Sequence, residues 1–360
     1  HIFKLPHTRF RVVCGNMGGG FGMKGGCYPE YALSLWASEV TGRPVKWIAE
    51  RSEGLISDEQ ARDSTVQAEM ALDAEGHILA LRTHSRVPIG AYFSSERNVM
   101  PTIVALGCLA STYRTPAIHA RVTGLFANIM NIAFYRGGGR PEPAYVIEVM
   151  VDKAARATGL TPEAFRRPNT VPTDAMPFTT ALKQVYDCGD FLKNLEDCKA
   201  RIDYADAETR RAEARSRGQL LGVGVSNTIS AAGSRGWEHA EVRFDPSGAV
   251  TLITGAMDHG QGHGTTFKQV LSEKLGMDHD LIRYQFGDTD QVAMGTGTFG
   301  SRSACLAGSA VFKAADKIIE KGRLLAAHLM EAAEGDVEFA DGKFTVAGTD
   351  KSLDLAQIAA

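Results

Sequence analysis

The turn Asp258-His259-Gly260-Gln261-Gly262-His263-Gly264 gathers the densest set of chemically useful groups in this sequence. Glycine at every second position lets the main chain come close to a ligand. Gln261 offers a donor and an acceptor on one amide. The helix start behind it leaves main-chain N–H groups without helical partners, which suits an anionic or strongly polar group. His259 and His263 are four residues apart, a spacing that two zinc ligands on one helical turn would use. A zinc hydrolase is therefore the alternative reading. It is the weaker one, because the two histidines straddle glycines and no third ligand accompanies them.

Three more turns of this kind occur. Gly15–Gly26 (GNMGGGFGMKGG) presents Phe21 as an aromatic wall. It holds no Gly-Lys-Ser/Thr triplet, so it is not a Walker A loop, and a glycine run matches a dinucleotide fingerprint only trivially. Phe134–Glu142 (FYRGGGRPE) sets Arg136 and Arg140 either side of three glycines, where they could hold phosphate or carboxylate. Taken alone, an arginine is more often in a surface ion pair. Gly295–Ser303 (GTGTFGSRS) brings hydroxyls, glycines and Arg302 to another helix start, again an anion cradle. Four such turns, each ahead of a predicted helix, suggest one large, polar, phosphorylated ligand gripped from several sides.

The elements that must position these turns alternate along the chain. Strands are predicted at Phe10–Cys14, Val45–Ile48, Asp63–Leu72, His77–Pro88, within Ile118–Phe134, and at Gly222–Thr228, Glu238–Phe244, Val250–Thr254 and Leu281–Phe286. Helices are predicted at Tyr28–Thr41, Pro143–Thr158, Phe191–Ala200, Ala205–Arg217, Thr265–Leu275 and Ala304–Leu329, with Thr265 or Thr266 capping the fifth. Asp73–Gly76 and Asp245–Gly248 read as turns, and Asp336–Val346 as a short hairpin. The class is α+β (mixed α/β). The reading divides the chain into a first domain at 1–180, a helical linker region at 181–217 and a second domain at 218–360.

Bulk properties narrow the partners. The chain has 360 residues, a formal net charge of -3 and 22% charged residues, so no basic footprint points to nucleic acid. No apolar run is long enough to span a membrane. Six scattered cysteines contain no C-x-x-C pair, so no iron–sulfur or zinc motif is encoded here, and they read as reduced thiols of a cytoplasmic protein, a periplasmic one being the second choice. The first residue is His1 and the chain stops on a helix-like run, so a piece of a longer polypeptide is expected.

GGGFGMKG at Gly18–Gly25, FYRGGGRPE, GQGHGTT at Gly260–Thr266 and GTGTFGSRS together resemble, in order and over nearly the whole chain, the motifs of the molybdenum hydroxylases. This is the family of xanthine dehydrogenase, aldehyde oxidase and aerobic carbon monoxide dehydrogenase. The resemblance implies two molybdopterin-binding-type domains, the second incomplete, and a molybdopterin held in bacteria as the cytosine dinucleotide. It implies no protein ligand to the metal. Phe21, Gly20 and Gly22 would approach the metal and the substrate, and Gln261, between Gly260 and Gly262 and ahead of His263, would hydrogen-bond the cofactor. The loop of Tyr135, Arg136 and Gly137 would pass its backbone near the metal, making Gln261, Phe21 and Arg136 the catalytic candidates. Thr298, Phe299, Gly300, Ser301, Arg302 and Ser303 would hold the pterin and the phosphates. The implied reaction is hydroxylation of a small-molecule substrate with water as oxygen source. Electrons would leave through 2Fe-2S clusters to FAD on a small and a medium partner subunit, in a homodimer of heterotrimers.

Three departures refine this. The family's general-base glutamate follows a glycine, and no Gly-Glu dipeptide occurs here, so the base is expected beyond Ala360 and the piece alone would be inactive. A piece that binds no cofactor by itself is the non-enzyme alternative. Gly137–Gly139 stand where carbon monoxide oxidisers carry a cysteine, which argues for aldehydes or N-heterocycles. Gly25 stands where purine oxidisers carry a glutamate.

Overall fold

The computed structural model describes residues 2–99, 103–104, 106–230, 232–233 and 236–359, and the chain divides into two compact units. One is Phe21–Ser230. The other joins His1–Gly20 to Ala231–Ala360. The α+β class is as the sequence suggests. The divisions fall at residues 20 and 230, whereas the sequence reading sets domains at 1–180 and 218–360 with a helical linker region at 181–217.

The unit Phe21–Ser230 opens with helices α1 (Pro29–Thr41) and α2 (Arg51–Ser57). Pro29 preorganises the first turn of α1, and Gly42 ends it in the left-handed region at φ 63. Strands β1 (Thr65–Leu72) and β2 (Ile78–Gly90) pair antiparallel about the predicted Asp73–Gly76 turn, and β3 (Ala117–Phe126) joins β2 in parallel. Helix α3 (Pro141–Thr158) and α4 (Pro162–Asn169) cover this sheet, and Ile78, Leu81, Ile147, Val151 and Phe165 form the core between them; α5 (Phe191–Arg201) and α6 (Ala207–Ser216) follow.

That core contains charge. Arg166 is fully buried and reaches Glu148 Oε2 at 2.7 Å and Asp152 at 2.9 Å, and it donates to the Val225 carbonyl at 2.8 Å. Tyr113 donates to Glu148 Oε1 at 2.7 Å, and the Asn227 N–H reaches Glu148 Oε2 at 3.2 Å. These bonds overturn one expected strand. Gly222–Thr228 forms no ladder; buried side chains serve its backbone instead, and they tie it to the first unit. Two other expected strands lack ladders as well. Val13 makes only an isolated bridge to Asp288, and 44–50 is extended without a strand partner among the described residues. β-propensity reports fit to a pleated surface, and pairing needs a neighbour as well.

In the second unit, β4 (Ala240–Phe244) and β5 (Val250–Thr254) are antiparallel, and β6 (Ile282–Gln285) lies parallel to β5. Helix α7 (His263–Leu275) makes the crossover that a parallel pair requires. A π-turn at Ser303–Ala307 leads into α8 (Gly308–Leu329), so the helix expected from Ala304 starts later. A small antiparallel sheet of β7 (Val337–Ala340), β8 (Lys343–Val346) and β9 (Ser352–Asp354) packs on α8. Leu252, Phe267, Leu271, Val311 and Phe344 share the core. At the end of α7 the main chains of Gly276 and Gly342 touch: a Cβ on Gly276 would lie 2.2 Å from the Gly342 nitrogen.

Candidate functional site

In the unit Phe21–Ser230, two glycine-rich loops meet. Phe21 lies in the left-handed region at φ 50 with its ring exposed. Gly22, at φ 91, abuts Phe134 so closely that a Cβ would stand 2.7 Å from the Phe134 carbonyl oxygen. The Arg136 guanidinium lies 5.7 Å from the Phe21 ring centroid, within cation–π range. Gly137, Gly138 and Gly139 all have positive φ, at 102, 55 and 81. Arg62 donates to the Arg136 carbonyl and lies over the Tyr135 ring, while Arg140 donates to the Gly137 carbonyl at 3.2 Å. The two arginines that flank the glycines both make loop contacts, Arg140 to the Gly137 carbonyl and Arg136 to the Phe21 ring. From the other side Arg97 donates to the Gly22 carbonyl and pairs with Glu59 at 3.2 Å.

In the other unit, the turn 258–264 is organised by Asp258. Its carboxylate accepts from Gly260 N–H at 2.8 Å, Gly262 N–H at 3.3 Å and Gly264 N–H at 3.4 Å. Burial opposes its charge, yet these three donors together hold its pKa below the ordinary value. The N–H groups expected to be free for a ligand are therefore occupied, and Asp258 does the work expected of Thr265 or Thr266 as cap. Gln261 Oε1 accepts from the His259 N–H, so the amide nitrogen is the side chain's donor. His259 is lowered in pKa by burial, and its Nε2 is buried without a hydrogen-bond partner. His263 is buried, also lowered by desolvation, and stacks on Phe267 at 4.7 Å. Among the described residues the one three-ligand grouping at metal-binding separations is Asp73, Glu75 and His77, and His259 and His263 are not part of it.

The loop 295–303 is fastened to this turn. Thr298 donates to the Met257 carbonyl at 2.7 Å, and Ser303 donates to Thr298 at 3.1 Å. A Cβ on Gly255 would stand 2.4 Å from Gly295 Cα, so only two glycines allow this approach. Arg302 is buried and bound to Glu238 Oε2 at 2.8 Å and to the carbonyls of Gly297 and Trp237. It braces the loop, and its guanidinium lies 5.0 Å from the Phe299 ring centroid. Glu238 also accepts from Thr296 N–H and Gly297 N–H, each at 3.2 Å. Ser301, at φ 57, gives its carbonyl to Gly233 N–H at 3.0 Å.

Against known proteins, the description "Molybdopterin cofactor-binding domain" matches twice, over residues 1–170 and 197–360. The chain belongs to the molybdenum hydroxylase large-subunit family. It is 34% identical over all of its length to the 6-hydroxypseudooxynicotine dehydrogenase complex subunit gamma of Paenarthrobacter nicotinovorans, covering 46% of that protein. It is 33% identical over 99% of its length to the carbon monoxide dehydrogenase large chain of Hydrogenophaga pseudoflava, again covering 46%. Quinoline 2-oxidoreductase from Pseudomonas putida 86 superimposes with a TM-score of 0.89 at 31% identity, over 98% of this chain and 47% of that one. The hydroxylase chain thus spans about half the length of these relatives.

For a molybdenum hydroxylase, the cradle is physically apt. In one unit Gly22 leaves room where any side chain would strike Phe134; in the other, taken by itself, His259 Nε2 is a buried polar atom with no hydrogen-bond partner among the described residues. Sequence reasoning missed Arg62, Arg97 and the part played by Asp258. For Asp258 a signal existed: an aspartate two residues ahead of a glycine turn readily bonds the N–H groups that follow. For Arg97, some 75 residues from the loop it serves, there was none.

Proposed function

We propose that this chain is the molybdopterin-binding part of a large subunit that hydroxylates an N-heterocycle or an aldehyde, with water as the oxygen source. The observation that carries the reading is the unbroken likeness along nearly the whole chain, with every glycine-rich loop built for close main-chain approach. A relative named for quinoline, an N-heterocycle, at 31% identity supports that class of substrate. Gly137 also supports it. At φ 102, with Pro141 ring atoms 2.7 Å from where a Cβ would stand, this loop does not accept a cysteine there.

The cofactor is a molybdopterin, in the cytosine dinucleotide form, with 2Fe-2S and FAD on partner subunits in a cytoplasmic assembly. When bound it supplies the two-electron oxidation at the substrate carbon. The chain's own residues bind and orient. The Gln261 amide nitrogen would donate to the cofactor while its oxygen accepts from the His259 N–H, a bond the side chain would lose on flipping. Phe21 and Tyr135 give the substrate an apolar wall, and the Arg136 charge polarises the Phe21 ring from behind. Thr298, Phe299, Gly300, Ser301 and Ser303 would hold the pterin and its phosphates, with Arg302 and Glu238 keeping their loop rigid. Gly20 and Gly260–His263 line the approach. His259 and His263 stay neutral, since burial lowers both, and they donate or accept without adding charge. The general base lies outside this chain.

The test is elemental analysis, pterin nucleotide identification and a screen of N-heterocycles and aldehydes on the complete enzyme in isotopically labelled water. Molybdenum, released cytidine nucleotide and label in the product are expected. A complete enzyme without molybdenum or pterin overturns the reading.

A further inference from the structure

We infer that Arg97 is a positioning residue for the hydroxylation reaction: it grips the main chain behind Phe21 from a slot that Gly25 and Gly26 keep open for its guanidinium. The inference rests on the functional reading above. All of its parts lie in the unit Phe21–Ser230.

The backbone that Arg97 grips is an unusual one. Phe21 stands at φ 50 and Gly22 at φ 91. A bulky residue at positive φ is disfavoured, and such a conformation persists only where its surroundings over-determine it. The surroundings here include a charge. The Arg97 guanidinium donates to the Gly22 carbonyl, which also accepts from the Gly25 N–H at 3.2 Å. A peptide unit is planar, so holding its oxygen fixes the Gly22–Met23 plane and the direction in which the chain leaves Phe21. The Arg97 and Glu59 side chains pair at 3.2 Å, each 13% exposed, so the donor carries its counter-charge with it.

The two glycines after Lys24 have one evident purpose. Gly26 sits at φ -85 and ψ 165, a conformation open to any residue, and Gly25 has no positive φ either. Conformation therefore does not demand glycine at these positions. Space does. A Cβ on Gly25 would stand 2.9 Å from Arg97 Nη1. One on Gly26 would stand 3.3 Å from the same nitrogen and 3.4 Å from Glu59 Oε2.

Arg97 is itself held to the segment that carries the second loop. It lies in a short turn whose next residue, Asn98, is fully buried. Asn98 Oδ1 accepts from the Ser94 N–H at 2.8 Å and the Ser95 N–H at 2.9 Å, and Asn98 Nδ2 donates to the Ile132 carbonyl at 2.8 Å. Two residues on, the Phe134 carbonyl abuts Gly22. Glu59 is registered on the same stretch. Its neighbour Gln60 donates its N–H to the Asn131 carbonyl at 2.9 Å and accepts from the Ala133 N–H at 2.8 Å. The arginine, its counter-charge and the glycine it holds thus share one base, residues 131–134. Lysine would keep the charge but lacks the fork that serves a carboxylate and a carbonyl together.

The test uses the complete enzyme and the variants Arg97→Lys, Arg97→Ala, Gly25→Ala and the double variant. Molybdenum content and thermal midpoint are measured with kcat, KM and the electron paramagnetic resonance spectrum of the dithionite-reduced metal, which needs no turnover. Arg97→Ala should keep its molybdenum, lose on the order of 10²-fold in kcat with a much smaller change in KM, and show a shifted spectrum. Arg97→Lys should fall the same way, and it carries the test if the alanine variant does not assemble. Guanidinium chloride below denaturing concentration should restore part of the Arg97→Ala rate, and equal sodium chloride should not. Gly25→Ala should lower kcat in the parent and add nothing in the Arg97→Ala background. Full activity in both Arg97 variants, an unshifted spectrum at full molybdenum content, or Gly25→Ala and Arg97→Ala effects that simply multiply would each overturn the inference. Loss of thermal midpoint with the spectrum unmoved would make Arg97 structural only. A complete parent enzyme without molybdenum overturns the functional reading first, so the two failures are distinguishable.

Discussion

The carboxylate of Glu238 and the guanidinium of Arg302 meet at 2.8 Å with side chains 0% and 1% exposed. The pair ties the strand that starts at Ala240 to the 295–303 loop, and Glu238 also takes the N–H groups of Thr296 and Gly297. Glu238→Gln leaves a buried arginine without its counter-charge. The expected cost is about 3–5 kcal/mol, read as a lowered thermal midpoint together with lost molybdenum in the complete enzyme. An unchanged midpoint would show that the loop does not depend on this pair.

Asp258 fills its own turn, and its charge is favoured by three main-chain donors despite partial burial. Because its folded-state pKa lies below the unfolded one, its stabilisation is complete above the ordinary carboxylate range and fades as pH falls through the folded-state value. Asp258→Asn should cost roughly 1–3 kcal/mol at neutral pH. The gap between variant and parent should narrow steadily in acid when denaturant unfolding is followed against pH.

Gln261→Glu keeps an acceptor for the His259 N–H but removes the side chain's donor. Turnover of the complete enzyme should fall by roughly 10²–10³-fold, the usual consequence of losing one oriented donor at a reacting centre. Molybdenum content should stay near that of the parent. Steady-state kinetics alongside elemental analysis distinguish this from simple loss of cofactor.

Gly22→Ala sets a methyl 2.7 Å from the Phe134 carbonyl at φ 91. A strained backbone of this kind costs on the order of 1–3 kcal/mol, and the loop must shift to relieve it. The expected result is a folded enzyme with reduced molybdenum and weakened substrate binding. Gly42→Ala, at φ 63 but with open space around it, is the control and should affect stability alone.

Local chemistry was readable in the chain, and distant pairing was not. The Asp73–Gly76 and Asp245–Gly248 turns and most helices follow from residues within a few positions of one another. The four glycine-rich turns are likewise visible because their function needs small residues in a row. The strands expected at Val45–Ile48 and Gly222–Thr228 failed for a shared reason: a ladder needs a second chain segment, which β-propensity does not report. The same distance hides Glu238 from Arg302 and Arg97 from Gly22. The carboxylate that Arg302 meets lies 64 residues away and leaves no trace in the residues around it.

Helix α7 runs between two fixed points: the Asp258-filled turn at its start and the Gly276–Gly342 main-chain contact at its end. It therefore works as a spacer of set length. Adding or deleting a residue within it would rotate every side chain that follows by about 100° and release one anchor or the other. The interval from Gly262 to Gly276 should therefore tolerate exchange of residues and refuse a change of register.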